Sequence, residues 1–322
     1  MKARLLAMAA FPLILLTASC ANKQSTLDSR LIEASEKGDT ATVSELLDKG
    51  ADPNAKDPYN ECALFKAVKA GHVETVEILL KRGVHLPVKG RFGYTALIRA
   101  AEQGFTDIAR ALIINGADVN ASGESGNDEG WTPLMAASER GRADTVRLLI
   151  EKGADLEKKD TKYGYSALMC AVNNGRLDTA RVLVEKSADV NTRNYNGGTP
   201  LKLAALYGRM DIARLLLDNG AKVDAKTKFG ATPLMTAAQY GKADVVKELV
   251  DRGADVNARN TLGWTPLILA SMNGYTDITR LLIEKGAKVD STNNEGQSAL
   301  TLARAAGHNQ VVEALKKAGA KG

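Results

Sequence analysis

A short helical phrase closed by glycine occurs nine times in this chain. The string "GWTPLMAASERG" at residues 130–141 returns 133 residues later as "GWTPLILASMNG" at residues 263–274. The polar letters change and the apolar frame stays. With the closing glycine as a marker, equivalents stand at 38, 71, 104, 141, 175, 208, 241, 274 and 307. Every gap is 33 residues except one of 37 and one of 34. Seven residues before each marker stands a leucine: Leu31, Leu64, Leu97, Leu134, Leu168, Leu201, Leu234, Leu267 and Leu300. A period held over nine tiles selects an array in which each tile buries its apolar face on its neighbours, because so short a unit cannot close a core alone. That overrides the two-domain expectation that 322 residues would otherwise raise.

Each tile reads the same way. Thr265-Pro266 is an N-cap followed by proline at the first helical position, where a missing N–H costs nothing. A short helix follows and stops at Gly274. A second helix carries Ile278, Leu281 and Leu282 at helical spacing, and Gly286 closes it as a left-handed cap. The polar segment "VDSTNNEGQ" then reads as a hairpin-like turn. The tile is helix, turn, helix, hairpin.

With "TPLMAA" at Thr132, "TPLKLAA" at Thr199, "TPLMTAA" at Thr232, "TPLILA" at Thr265 and "GADVNA" at Gly116 and Gly253, the chain resembles the ankyrin-repeat family. The resemblance covers residues 27–322 and implies an all-α repeat solenoid of about nine units, with β-hairpin-like loops. Residues 27–57 read as an N-terminal capping repeat, 58–294 as seven internal repeats and 295–322 as a C-terminal cap. In the first tile Glu33, Ser35, Glu36 and Lys37 suit a water-facing end; in the last, Arg304, Glu313, Lys316 and Lys317 do. Some tiles depart from the family pattern. Phe65, Ile98, Met135, Met169, Lys202, Met235, Ile268 and Thr301 replace the signature histidine. Thr-Pro softens to Cys62-Ala63, Thr95-Ala96, Ser166-Ala167 and Ser298-Ala299, and Ser187 stands where a capping glycine is expected. Each departure weakens one cap by about 1 kcal/mol and leaves the fold intact.

The first twenty residues differ in kind. Lys2 and Arg4 precede an apolar run from Leu5 to Leu16, too short for a membrane span and suited to a secretory leader. The run ends in "LTASC", which resembles a bacterial lipoprotein signal, with Ala18 and Ser19 before Cys20 and Thr17 where leucine is commoner. The resemblance implies a leader at 1–19, a lipid on Cys20 and a tether at 20–26. Ordinary cleavage to a soluble periplasmic protein and an uncleaved anchor are the alternatives. Ala21 is not aspartate, which by analogy with lipoprotein sorting favours the outer over the inner membrane.

The balance of charges excludes one partner class. The formal net charge is +5, and removal of Lys2 and Arg4 with the leader leaves +3. Basic and acidic residues alternate with no basic block, whereas nucleic acid binding needs a clustered patch. Cys62 and Cys170 lie three tiles apart, about 30 Å at 8–10 Å per helix layer. A disulfide needs Cα atoms within about 7 Å, so both are expected as free thiols packing as small apolar groups. His72 and His308 follow marker glycines and read as helix-entry side chains bonding backbone; His85 has no neighbouring ligand candidates. There is no metal spacing, no phosphate loop and no nucleophile paired with a base. We therefore expect no enzyme, no cofactor and no metal.

Two features bear on partners. The 37-residue gap holds "NASGESGNDEGW", residues 120–131, which lengthens one hairpin. Its Glu124, Asp128 and Glu129 lack EF-hand spacing, and an inert insertion, a partner-contacting finger and a calcium loop all stay open. The second feature is where the aromatics fall. Of 15, Phe11 belongs to the leader. Nine map to hairpins, namely Tyr59, Phe92, Tyr94, Trp131, Tyr163, Tyr165, Tyr195, Phe229 and Trp264, and Tyr207 and Tyr240 end first helices. In the family these are the partner-facing positions, and aromatics are enriched in binding hot spots. Packing of an aromatic against the next hairpin is the competing reading, strongest for Trp131 and Trp264. Residues two apart tend to share a side, so Tyr163 and Tyr165 are expected to form one double contact. The expected function is a monomeric, non-catalytic protein–protein interaction scaffold tethered by lipid to a bacterial envelope membrane and facing the periplasm. The alternatives are an immunity-type inhibitor of a toxin or envelope enzyme, and a structural or stress-protective envelope protein without a single partner.

Overall fold

A computed structural model of the protein describes residues 24–86, 88–90, 93–123 and 130–321. Within them the chain forms nine helix pairs. The first is α1 (24–37) with α2 (Thr40–Asp48). Next come α3 (Ala63–Ala70) with α4 (Val73–Lys81), α5 (Ala96–Gln103) with α6 (Thr106–Ile114), and α7 (Pro133–Arg140) with α8 (Ala143–Glu151). Then follow α9 (Ala167–Asn173) with α10 (Leu177–Glu185), α11 (Pro200–Tyr207) with α12 (Met210–Asp218), and α13 (Pro233–Gln239) with α14 (Ala243–Asp251). The last are α15 (Pro266–Met272) with α16 (Thr276–Glu284) and α17 (Ala299–Ala305) with α18 (Asn309–Lys317). Odd-numbered helices are the first of each tile and are called inner below; even-numbered ones are outer. Helix α1 already runs through residues 24–26, which the sequence reading assigns to the tether.

The described residues divide into two compact units, each considered by itself. One comprises residues up to 137 with 147–154, the other 138–146 with 155–322. In the first, α3 packs on α5, and α2, α4 and α6 stack in order. In the second, α9, α11, α13, α15 and α17 stack as one inner layer, while α10, α12, α14, α16 and α18 form the outer layer. The marker leucines fill the seam: Leu201, Leu234, Leu267 and Leu300 are all buried, as are the outer-helix leucines Leu216, Leu249 and Leu282. Of the first tile's polar residues read as water-facing, Ser35 is instead fully buried, on the face that α1 turns inward with Leu31 and Ala34.

The N-caps explain where inner helices begin. The hydroxyls of Thr95, Thr199, Thr232, Thr265 and Ser298 each accept the backbone N–H three residues on, and Ser298 forms a reciprocal capping box with Thr301. Softening of Thr-Pro is therefore felt in only two of the four tiles that show it. Cys62 and Ser166 make no side-chain cap, and the buried Ser166 hydroxyl has no partner. The hairpins stay short of true strands; isolated antiparallel bridges close three of them, Lys56 with Cys62, Lys89 with Thr95 and Thr292 with Ser298.

Ser187 shows why glycine ends the outer helices. Its φ is +68°, in the left-handed region where a Cβ is penalised. At the corresponding Gly220, Gly253 and Gly286 an added Cβ would meet nothing within 4 Å, so backbone conformation and not space is what glycine supplies there. We expect Ser187→Gly to raise unfolding stability by about 0.5–1 kcal/mol, the left-handed penalty less the extra chain entropy glycine loses. Chemical denaturation reads this directly, and an unchanged or lower midpoint would contradict it.

Candidate interaction surface on hairpins and inner helices

The hairpins of the second unit are built on a repeated side-chain device. Asn194, Asn260 and Asn293 each use the side-chain carbonyl to accept backbone N–H groups two and four residues on, at 2.7–3.1 Å. Asp160 does the same with a buried carboxylate, accepting from the N–H groups of Lys162, Tyr163 and Tyr165. Asx side chains favour this local bonding, which is why they nucleate turns. The left-handed glycine of the tip stands three positions after each asparagine, but Gly164 stands four positions after Asp160. The surplus residue of the 34-residue gap thus sits at this tip.

The tips are then bonded to one another. Tyr195 N–H donates to the Tyr163 carbonyl at 3.0 Å, Lys228 N–H to Asn196 at 3.0 Å, Thr261 N–H to Phe229 at 3.1 Å and Asn294 N–H to Leu262 at 3.0 Å. This fixes the order in which side chains appear along the rim. Tyr163, Tyr195, Phe229 and Leu262 on the tips, with Tyr207 and Tyr240 at the ends of α11 and α13, are between 44% and 66% exposed. Leu262 was not a sequence candidate; it holds the register of Phe229, and its position after Asn260 was the available signal.

The remaining aromatics are placed differently. Trp264 packs against Met235, Ala258 and Leu269 and braces the core. Tyr165 is half-buried; its ring lies 5.6 Å from that of Tyr163 at 43°, while Tyr163 points outward with the Lys162 ammonium 4.9 Å above it. The two do not project alike: Tyr163 precedes the left-handed tip glycine Gly164 and Tyr165 follows it, as exposed Leu262 and half-buried Trp264 flank Gly263. Tyr195 has a double role: its hydroxyl donates to the Asp160 carbonyl, and its ring occupies the space that a side chain at Gly164 would need. In the first unit Tyr59 is exposed, whereas Tyr94 and Trp131 are half-buried, with the Arg99 guanidinium 5.3 Å from the Tyr94 ring. Phe92 and Cys20 lie outside the described residues, as do Glu124, Asp128 and Glu129. The base of that insertion is closed by backbone bonds from Gly123 N–H to Trp131 and from Gly130 N–H to Gly123.

Charge is distributed unevenly over the second unit. Exposed residues on its tips and inner-helix ends include Lys162, Lys228, Asn196, Thr261, Gln239 and Asn273, with Glu295 the carboxylate among the exposed tip residues. The outer layer carries both signs, with Asp218 paired with Arg252 at 2.7 Å and Asp251 with Lys285 at 3.1 Å. Lys202, third residue of α11, is half-buried, and burial pushes its ammonium pKa down.

The residues singled out for chemistry have structural explanations. His72 Nε2 lies 3.1 Å from the Glu36 carbonyl and His308 Nε2 3.0 Å from that of Met272, so each ring N–H donates to the preceding tile. Both rings also fill space that leaves room only for glycine, at Gly38 and Gly274. Cys62 and Cys170 are free and buried, and burial raises both thiol pKa values, which keeps them protonated and unreactive.

Stacked helix pairs with short tip-bonded hairpins define a class of repeat protein that displays an extended surface. The family described as ankyrin repeats (3 copies) matches residues 31–123, 121–194, 192–260 and 255–322. The chain belongs to the ankyrin-repeat family. Comparison with curated proteins gave no match.

Proposed function

We propose that the protein is a non-catalytic interaction scaffold that holds a protein partner through the hairpin tips and inner-helix ends of its second unit. One observation carries this reading: six large apolar side chains on that surface are exposed although the backbone beneath them is ordered, by tip-to-tip hydrogen bonds at Tyr163, Tyr195, Phe229 and Leu262 and by helix ends at Tyr207 and Tyr240. Ordering an already rigid aromatic costs little entropy on binding, so such residues make efficient anchors. The scattered outer-layer charges offer no comparable patch.

The scaffold is proposed to be carried on a bacterial envelope membrane, facing the periplasm, by a lipid on Cys20. The support is the "LTASC" string behind a short apolar leader. Wild type should fractionate with membranes and incorporate labelled palmitate, while Cys20→Ser should do neither; equal labelling of both would rule the anchor out. Affinity purification from solubilised envelope, read by quantitative mass spectrometry, tests the scaffold. One protein recovered in stoichiometric amount is the expected result, and no enriched protein the contrary one.

A further inference from the structure

Lys202 occupies a position that its neighbours use for the core. The corresponding residues Phe65, Ile98, Met135, Met169, Met235 and Ile268 are at most 1% exposed, and only Thr301 of the last tile among the described residues named for this position is exposed. The 33-residue register places Ala225, Ala231 and Thr236 around Lys202 as Ala258, Trp264 and Leu269 stand around Met235. None carries charge, and alanine replaces the tryptophan that covers Met235. Among the described residues no hydrogen bond or ion pair engages the Lys202 ammonium, and burial alone shifts its pKa. Side chains of a helix lean toward its N-terminus, so this stem at the third position of α11 leans toward the tips. Half-buried Leu206 lies one turn further along, followed by exposed Tyr207.

A partly desolvated, unpaired ammonium is costly, and methionine at this position would be cheaper. A carboxylate arriving from outside would recover that cost, and the rim around it offers cations and aromatics with few carboxylates. We propose that Lys202 is the anchoring cation for an aspartate or glutamate of the partner, carried on an extended segment whose neighbouring side chains are apolar. This rests on the recognition surface proposed above and adds the chemistry of what it recognises.

The experiment uses the full chain, immobilised, and a phage-displayed library of random dodecapeptides as the probe. Wild type should enrich peptides with one acidic residue flanked by apolar ones, and these should bind K202M at least about tenfold more weakly. K202M carries the residue of tiles four, five and seven, so its thermal unfolding should match or exceed wild type. Selection on K202M should keep the apolar positions and lose the acidic one, and K202R should restore part of the affinity. Enriched peptides without an acidic position, or equal binding to wild type and K202M, would overturn the role of Lys202 while leaving the surface standing. No enrichment on either protein would overturn both. Lys202-dependent binding of phosphatidylserine vesicles in place of peptides would replace the protein partner with a membrane and overturn the proposal.

Discussion

Leu234→Ala should destabilise the protein by about 2–5 kcal/mol, the range for deleting a fully buried leucine whose cavity collapses only partly. Leu234 has no exposed surface, and it lies on α13, which touches α11, α14 and α15. Removing its branched end takes contacts from both flanking tiles at once. The loss should also be local. In a repeat array each tile is coupled to its neighbours alone, so loosening propagates outward with attenuation. Amide hydrogen exchange should therefore accelerate first in α11 to α16 and later in α17 and α18. Uniform acceleration across the second unit would contradict the one-dimensional coupling.

The parts of the fold legible in the sequence are those set by period and caps. Thr232 and Thr265 announce the inner helices, and both hydroxyls accept the expected N–H. Ser187 was readable as an awkward cap because its place in the period is a glycine's, and its φ is +68°. Other features depended on information that periodicity does not hold. Tyr163 and Tyr165 are two residues apart, yet one is exposed and the other half-buried, because the left-handed Gly164 between them turns the chain at the tip. Trp264 and Phe229 both look like tip aromatics in the string. Trp264 follows its tip glycine and folds back onto Met235, whereas Phe229 precedes its own and stays outside. Ser35 could not be told from its polar neighbours without the direction of α1. Lys202 was visible as a departure from the signature, but its lack of a partner is a property of three dimensions.

The distinction between bracing and displayed aromatics makes the proposed recognition surface separable from the core. Tyr163, Phe229 and Tyr240 are exposed, and their backbones are held by bonds that do not involve the side chains. Truncating all three to alanine should leave the melting temperature nearly unchanged. Exposed side chains add little to stability, whereas at an interface a true hot spot costs at least about 2 kcal/mol when truncated. Two such positions together would weaken binding on the order of a thousandfold, subject to the non-additivity of neighbouring sites. Trp264→Ala is the converse control: it removes cover from Met235 and Leu269, so it should lower the melting temperature while its folded fraction keeps much of its affinity.

The measurement that decides the matter is paired: thermal unfolding and affinity for the protein recovered with wild type, both on the Tyr163→Ala, Phe229→Ala, Tyr240→Ala variant. A melting temperature at the wild-type value with binding lost is what the displayed surface requires. A variant that melts early while its folded fraction binds as wild type would show that these side chains hold the hairpins in place, and that recognition lies elsewhere.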